Sequence, residues 1–157
     1  MSLKALPTAD AITKLISSLV GKNVTVKAGP VLKQPPRGGV VAVCVDDAKN
    51  VVAVIVTDVQ LAAATGAALA MIPPAAAQDA ARTGSLPPNI ADNCHEVANV
   101  MCSLLTASGG RGVRLGDFDT SGVPASAEPV LGGAGARLDL EVEIRGYGKG
   151  QLAIISA

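Results

Sequence analysis

Hydrophobic residues recur along this chain at two spacings, and each spacing predicts one kind of element. Intervals of three and four residues predict an amphipathic helix, and they run from Thr8 to Val20 and again from Asn89 to Leu104. Alternation, or a short β-branched run, predicts a strand. Along the chain, these patterns predict a helix, three strands, further helices and then three more strands. Each half of the chain thus passes from a helix into three strands.

The clearest strand signals are two valine-rich runs, GVVAVCV and VVAVIV, which a polar turn separates. They are too short for helices and predict a hairpin. Their nearly continuous apolar character predicts central strands with both faces covered. LDLEVEIRG alternates strictly, which predicts an antiparallel strand with one wet face, and GYGKG turns it into GQLAIISA. Because hairpins dominate, the sequence predicts an α+β fold with a largely antiparallel sheet.

The middle and the later part of the chain give weaker signals. A helical composition begins at Asp58 and is stopped by Pro73 and Pro74, since proline cannot continue a helix. The AAAQDAARTG segment that follows fits either a short alanine-rich helix or a loose connector. SGVPASAEP predicts an irregular segment.

Composition narrows the function classes. The 157 residues suffice for one core, so 1–157 is predicted to be a single domain. Aromatic residues make up 1% and the net charge is +0, which argues against a nucleic-acid-binding surface. No apolar run reaches the roughly 18 residues of a membrane helix. The opening lacks the apolar core of a signal peptide, so the predicted location is the cytoplasm.

Three cysteines, Cys44, Cys94 and Cys102, suit a reducing compartment, and their odd number argues against a disulfide framework. Cys94 and Cys102 fall two helical turns apart on the predicted core face. His95 points elsewhere, and the chain has no CxxC pair. We therefore interpret the cysteines as structural thiols rather than metal ligands.

The helix predicted after Asn89, a favourable N-cap, has two faces. Apolar residues at intervals of three and four form the buried stripe, namely Ile90, Cys94, Val97, Met101 and Leu104. A second row follows the same spacing with an offset of two residues, namely Asp92, Glu96, Asn99 and Ser103. Two residues correspond to roughly 200° around a helix. The polar row is therefore predicted to lie opposite the core.

Ordinary structural roles could account for much of this row. Asp92 falls in the predicted first turn, where a carboxylate favours the positive helix end by roughly 0.3–1 kcal/mol. Glu96 is a common exposed helix residue, and His95 beside the row is interpreted as a solvated surface histidine. Asn99 fits less well, because asparagine in mid-helix costs roughly 0.5 kcal/mol relative to alanine.

At these residues the sequence resembles a known family. DNCHEVAN reproduces the Asp/Ser-x3-Glu-x2-Asn signature of the CheC/CheX/FliY phosphatases, which dephosphorylate CheY-type response regulators in chemotaxis. The order of elements is also similar to the whole family domain. The first helix lacks Glu-x-x-Asn, so the single motif resembles CheX more than the two-site CheC arrangement.

The chain departs from the family pattern in two places. The family proline is expected near residue 122, where this chain has Gly122, and the nearest prolines are Pro124 and Pro129. Cys102 and Ser103 stand where a small residue or glycine often follows the asparagine. These departures bear on catalysis more than on fold.

The resemblance implies a CheX/CheC-like α+β fold with long helices packed on one face of the sheet. It implies that Asn99 orients the attacking water, that Glu96 pairs with the regulator's active-site lysine, and that Asp92 has a supporting role. It implies no cofactor of the chain's own, because the regulator carries the Mg²⁺. Family members of the CheX type dimerise through sheet edges, so a homodimer is expected, with LDLEVEIRG or its neighbour as a candidate edge strand.

Two other functions remain open from sequence. The chain could be a non-catalytic relative, similar to the flagellar switch protein FliM, that binds a response regulator or a motor partner without hydrolysis. It could also be a small-ligand sensor or an unrelated α+β domain.

Overall fold

The computed structural model describes residues 5–32, 39–105 and 112–157. The helices are α1 (Ala9–Val20), α2 (Val59–Leu69), α3 (Pro74–Thr83), α4 (Pro88–Leu104) and α5 (Glu128–Leu131). The strands are β1 (Val24–Ala28), β2 (Val40–Val45), β3 (Val51–Thr57), β4 (Arg114–Asp119), β5 (Arg137–Ile144) and β6 (Gly148–Ser156). The predicted α+β class and the predicted order of elements are confirmed.

The six strands form one sheet in the order β1-β5-β6-β3-β2-β4, and every pairing is antiparallel. The predicted hairpin is β2–β3, in which Val43 faces Val54. The prediction that LDLEVEIRG could be an edge strand is wrong for that strand itself, because β5 lies between β1 and β6. Its neighbour β1 and the distant β4 are the edges of the described sheet, and the homodimer stays a prediction.

The sheet separates two apolar layers of different size. On one face, α1 to α4 pack against alternate sheet residues that include Ala42 and Cys44. On the other face, a short 3-10 helix, Ala125–Ala127, and α5 cover Val41 and Val43. The prediction that the valine-rich strands are buried on both faces is confirmed. The irregular segment predicted at SGVPASAEP is partly wrong, since half of it forms these two short helices.

Helix α2 lies directly on β6 because of an aspartate and a glycine. The Asp58 carboxylate accepts hydrogen bonds from the backbone N–H of Leu61 and of Gln151, each at 2.9 Å. A Cβ at Gly150 would lie 2.2 Å from Asp58 Oδ1, so only glycine permits this approach. Burial raises the pKa of Asp58 above its ordinary value. After α2, the AAAQDAARTG segment forms α3, which decides between the two predicted alternatives in favour of a helix.

The two halves of the chain occupy equivalent places in the sheet. One half is α1-β1-β2-β3 and the other is α4-β4-β5-β6. The counterpart strands are β1 and β4, β2 and β5, and β3 and β6. Exchanging the two members of each pair gives the same strand order read from the opposite edge of the sheet. Helices α1 and α4 are therefore topological counterparts.

Nothing in the described ranges is a helix both long and apolar enough to cross a bilayer.

Candidate functional site

Helix α4 begins two residues earlier than a helix capped by Asn89 would begin. Pro88 is its first residue and Pro87 precedes it in extended conformation; proline is favoured at a first helical position because its missing N–H would have no helical partner there. Asn89 therefore lies inside the first turn, and its predicted capping role is wrong. Asp92 moves to the second turn, where the helix dipole gives it less stabilisation than the sequence analysis assumed.

The buried side of α4 is held tightly against α2 at Gly66. A Cβ at this glycine would lie 2.7 Å from the Ile90 carbonyl oxygen, closer than such atoms approach in folded proteins. The Asn93 amide donates a hydrogen bond to the Gly66 carbonyl oxygen at 2.8 Å, and the Cys94 thiol donates to the carbonyl oxygen of Ala62 at 3.0 Å. These contacts fix the rotation of α4 about its own axis.

With that rotation fixed, the polar row points outward. Asp92, Glu96, Asn99 and Ser103 are all exposed, and α4 continues unbroken through them. Among the described residues, neither the Glu96 carboxylate nor the Asn99 amide has a hydrogen-bond or ion-pair partner. Residues three apart are neighbours on a helix surface. The row thus presents two neighbouring groups to the solvent: the Glu96 carboxylate, which accepts hydrogen bonds, and the Asn99 carboxamide, which both donates and accepts them.

An aromatic contact borders the row. The His95 ring meets the Phe118 ring edge-on, with centroids 4.9 Å apart and planes at 73°. Phe118 belongs to β4 and is the chain's only phenylalanine. His95 is exposed, as predicted, but it is also oriented by this contact. Sequence reasoning missed Phe118, because only the packing of β4 beside α4 gives it significance.

The loop after β4 contains Gly122, where the sequence analysis expected the family proline. The Asp119 carboxylate accepts hydrogen bonds from the backbone N–H of Ser121 at 2.7 Å and of Gly122 at 3.1 Å. The Ser121 N–H and hydroxyl, in that order, lower the pKa of Asp119 below its ordinary value. Pro124 lies just beyond and precedes the 3-10 helix. The Asp119 carboxylate therefore restrains the backbone of this loop.

The cysteines lie where the core prediction put them, and all three are buried. Burial raises the pKa of Cys94 to about 12, so this thiol stays protonated. The described part of the chain contains no group of three His, Cys, Asp or Glu residues placed to hold a metal ion. Spacing did not predict that Cys44 and Cys102, far apart in sequence, have their sulfur atoms in contact.

Solved structures with the same architecture identify the fold. FliM from the FliG–FliM complex of Helicobacter pylori is 14% identical, with a TM-score of 0.53 over 94% of this chain and 85% of that chain. FliY of Thermotoga maritima is 13% identical, with a TM-score of 0.50 over 98% and 93%. The chain has the fold of the CheC/CheX/FliY family.

The predicted resemblance is thus confirmed at the level of the CheC/CheX/FliY fold. CheX from the CheX–CheY complex of Borrelia burgdorferi overlays more loosely, at 9% identity and a TM-score of 0.45 over 94% of this chain and 93% of that chain. No protein-family model matches the sequence, and no curated protein matches it. Sequence identity this low supports a shared fold and nothing finer. A role for an individual residue must therefore be argued from the geometry of α4.

Proposed function

We propose that this protein is a phosphatase that removes the aspartyl phosphate from CheY-like receiver domains. The observation that carries the proposal is the exposed pair on α4: Glu96 and Asn99 project together from a helix whose buried side is fixed against α2. Their spacing matches the family signature that the sequence resembles, and the fold is similar to that of FliY. A convex helix can enter the acidic pocket of another protein, which a cleft could not do.

The proposed chemistry requires few groups from this chain. Hydrolysis of an acyl phosphate needs a water molecule placed in line with the bond that breaks. The Asn99 carboxamide can donate to and accept from that water without becoming charged. Glu96, one turn earlier, pairs with the receiver's active-site lysine and fixes the docking register. Asp92, a further turn back, supports the contact.

In this proposal the protein supplies no cofactor. The receiver holds Mg²⁺, which neutralises charge on the phosphoryl group, while α4 contributes only positioning. The three motif residues, Asp92, Glu96 and Asn99, offer two carboxylates and one carboxamide, a set suited to orienting water and a lysine. A receiver partner also implies that the protein works in the cytoplasm, as the sequence analysis expects.

Replacing Asn99 by Ala tests the proposal. We expect Asn99→Ala to slow dephosphorylation of an acyl-phosphate-charged receiver domain by on the order of 10²-fold, because the attacking water loses its orientation. Receiver binding should change little, so the loss should fall on kcat rather than on KM. The measurement is phosphate release, using receiver domains from the same genome.

Ser17→Ala is the matched control. Ser17 stands on α1, the counterpart of α4, three residues after Lys14 just as Asn99 stands three after Glu96. This control should retain the full rate. A rate for Asn99→Ala within twofold of the unaltered protein would remove the assignment of Asn99.

A second candidate is a FliM-like module that binds a receiver or a motor partner without hydrolysis. Two observations favour it: the overlay with FliM, which in that structure is bound to FliG, and the glycine at 122 where the family has proline. If this candidate is right, the unaltered protein will bind phosphorylated receiver without accelerating phosphate release. Glu96 variants will then weaken binding, while Asn99→Ala will have no rate to lower.

A further inference from the structure

Two buried thiols meet between the sheet and the far end of α4. Cys44 lies in β2 and Cys102 in the last turn of α4, and their sulfur atoms are 2.7 Å apart. Both side chains are 0% exposed. No role in receiver dephosphorylation uses either residue, although Cys102 follows Asn99 by only three positions.

The fold brings this pair together from both sides. Alternate residues of β2 face the helices, which aims Cys44 at α4, and Cys102 belongs to the buried stripe that faces the sheet. The strand pairing is irregular next to Cys44 on both neighbours: the register shifts between Ala42 and Cys44 against β4, and between Cys44 and Val45 against β3. Such irregularities re-aim side chains.

We propose that Cys44 and Cys102 form an oxidation site, at which a peroxide converts the two thiols into a disulfide that ties α4 to β2. One sulfur attacks a peroxide oxygen, giving a sulfenic acid and releasing water or hydroxide. The second sulfur then displaces the hydroxyl as water. The two sulfurs lose two electrons and two protons, one peroxide O–O bond breaks, and two waters result per hydrogen peroxide.

The environment makes this reaction slow in the closed fold. The hydrogen bond that the Cys44 thiol shares with Cys102 and then burial raise the pKa of Cys44 well above its ordinary value, and the thiolate is the reactive form. Attack therefore requires a local opening of the end of α4. Hydrogen peroxide is small enough to use such an opening. Once formed, the bond is shielded from larger reductants by the same burial.

The disulfide would stabilise the protein through its long loop. Cys44 and Cys102 are 58 positions apart, and β3, α2 and α3 lie between them. Closing a loop of this length strongly restricts the unfolded chain. We expect the thermal unfolding midpoint to rise by roughly 5–15 °C on oxidation.

The test uses the Cys94→Ser variant, in which the pair supplies the only thiols. Serine can keep the hydrogen bond to Ala62, so this background should fold. After treatment with hydrogen peroxide, the protein is unfolded in denaturant, exposed to an alkylating reagent and weighed. We expect a loss of about 2 Da, no alkylation, and a raised midpoint that a small dithiol reverses.

Adding Cys44→Ala or Cys102→Ala to this background provides two independent controls, so that failure of one variant to fold leaves the other. Each should keep one alkylatable thiol and show no rise in the midpoint. Full alkylation of both thiols after oxidation, a gain in mass from sulfinic acid, or a disulfide between two chains would each overturn the proposal. None of these measurements depends on the proposed phosphatase activity.

Discussion

Helices α1 and α4 hold equivalent places in the two halves of the fold, yet their outer faces differ in chemistry. The spacing of their polar residues is the same: Asp10, Lys14 and Ser17 on α1, and Asp92, Glu96 and Asn99 on α4. A pattern of exposed polar positions therefore predicts which face is wet on both helices. It does not by itself distinguish a binding surface from an ordinary solvated one.

On α1 the polar residues bond to one another and to their own backbone. Lys14 forms an ion pair with Asp10 at 3.2 Å, and the Ser17 hydroxyl donates to the Lys22 carbonyl oxygen at 2.9 Å. Thr8 caps the helix by accepting a hydrogen bond from the Ala11 N–H at 3.1 Å. Each of these contacts contributes to the local stability of α1, so the face needs no external partner to explain its composition.

On α4 the corresponding groups have no such local role. Within the described ranges Glu96 and Asn99 have no partner, and Asn99 costs roughly 0.5 kcal/mol relative to alanine at a mid-helix position. A residue that lowers helix propensity without a compensating contact is what a surface shaped for another molecule is expected to show. The difference between the helices lies in whether the polar groups are already satisfied, and substitutions at matched positions can test it.

The largest contrast should come from removing one charge on each helix. Glu96→Gln should weaken binding to a phosphorylated receiver domain by at least about tenfold, because the receiver's lysine would be left desolvated without a counter-charge. Lys14→Gln removes the charge at the equivalent position of α1 and should change binding by less than twofold. Titration calorimetry with a stable phosphoryl analogue on the receiver measures both.

Equal losses for the two glutamine variants would break the comparison. Such a result would mean that the overall charge of the protein governs association rather than a contact at α4. Raising the salt concentration separates the two cases, since long-range attraction between exposed charges is screened.

A smaller contrast concerns how the helices are anchored. Gly66→Ala should reduce the free energy of unfolding by roughly 1–3 kcal/mol, because the new methyl group overlaps the α4 backbone at Ile90. Gly21→Ala, at the end of α1, meets no atom within 4 Å but has a φ of +65°, and should cost about 1 kcal/mol from backbone conformation alone. Urea unfolding of the two variants gives both values.

The two glycine variants should also differ in function. Gly66→Ala should lower the rate of receiver dephosphorylation, because α4 must shift to admit the methyl group, whereas Gly21→Ala should not. If Gly66→Ala were as stable and as active as the unaltered protein, the tight packing of α4 on α2 could not be what orients the polar row.

Sequence reasoning predicted those features that depend on local pattern. Apolar spacing located α1 and α4, and continuous valine located the hairpin β2–β3. Features that depend on contacts distant in sequence were missed: Phe118 beside His95, and Cys44 against Cys102. The start of α4 was also misplaced, because Asn89 and Pro88 are both favourable near a helix start and only the backbone shows which position each one takes.

The smallest expected effect is a pH response that contrasts the loops after β1 and β4, which are counterpart strands. In the loop after β1, the Leu32 N–H donates a hydrogen bond at 2.9 Å to the carboxylate of Asp139 on β5, which also pairs with Arg137. Burial acts to raise the pKa of Asp139, but these contacts lower it on balance. After β4, the Asp119 carboxylate bonds only to nearby residues within the part of the chain that the structure describes, so its protonation should release the turn that it holds.

The sign of the response at Asp119 follows from its lowered pKa. The stabilisation is fully present above the ordinary value of 3.8 and is lost as the pH falls through the lower pKa of the folded protein. The amide proton resonances of Ser121 and Gly122 should therefore move together below pH 3.8, whereas the Leu32 resonance reports on a different carboxylate, that of Asp139. Asp119→Asn should abolish the pH dependence, because an amide does not titrate in this range. Resonances that stay constant down to about pH 2 would show that the Asp119 carboxylate does not hold this turn.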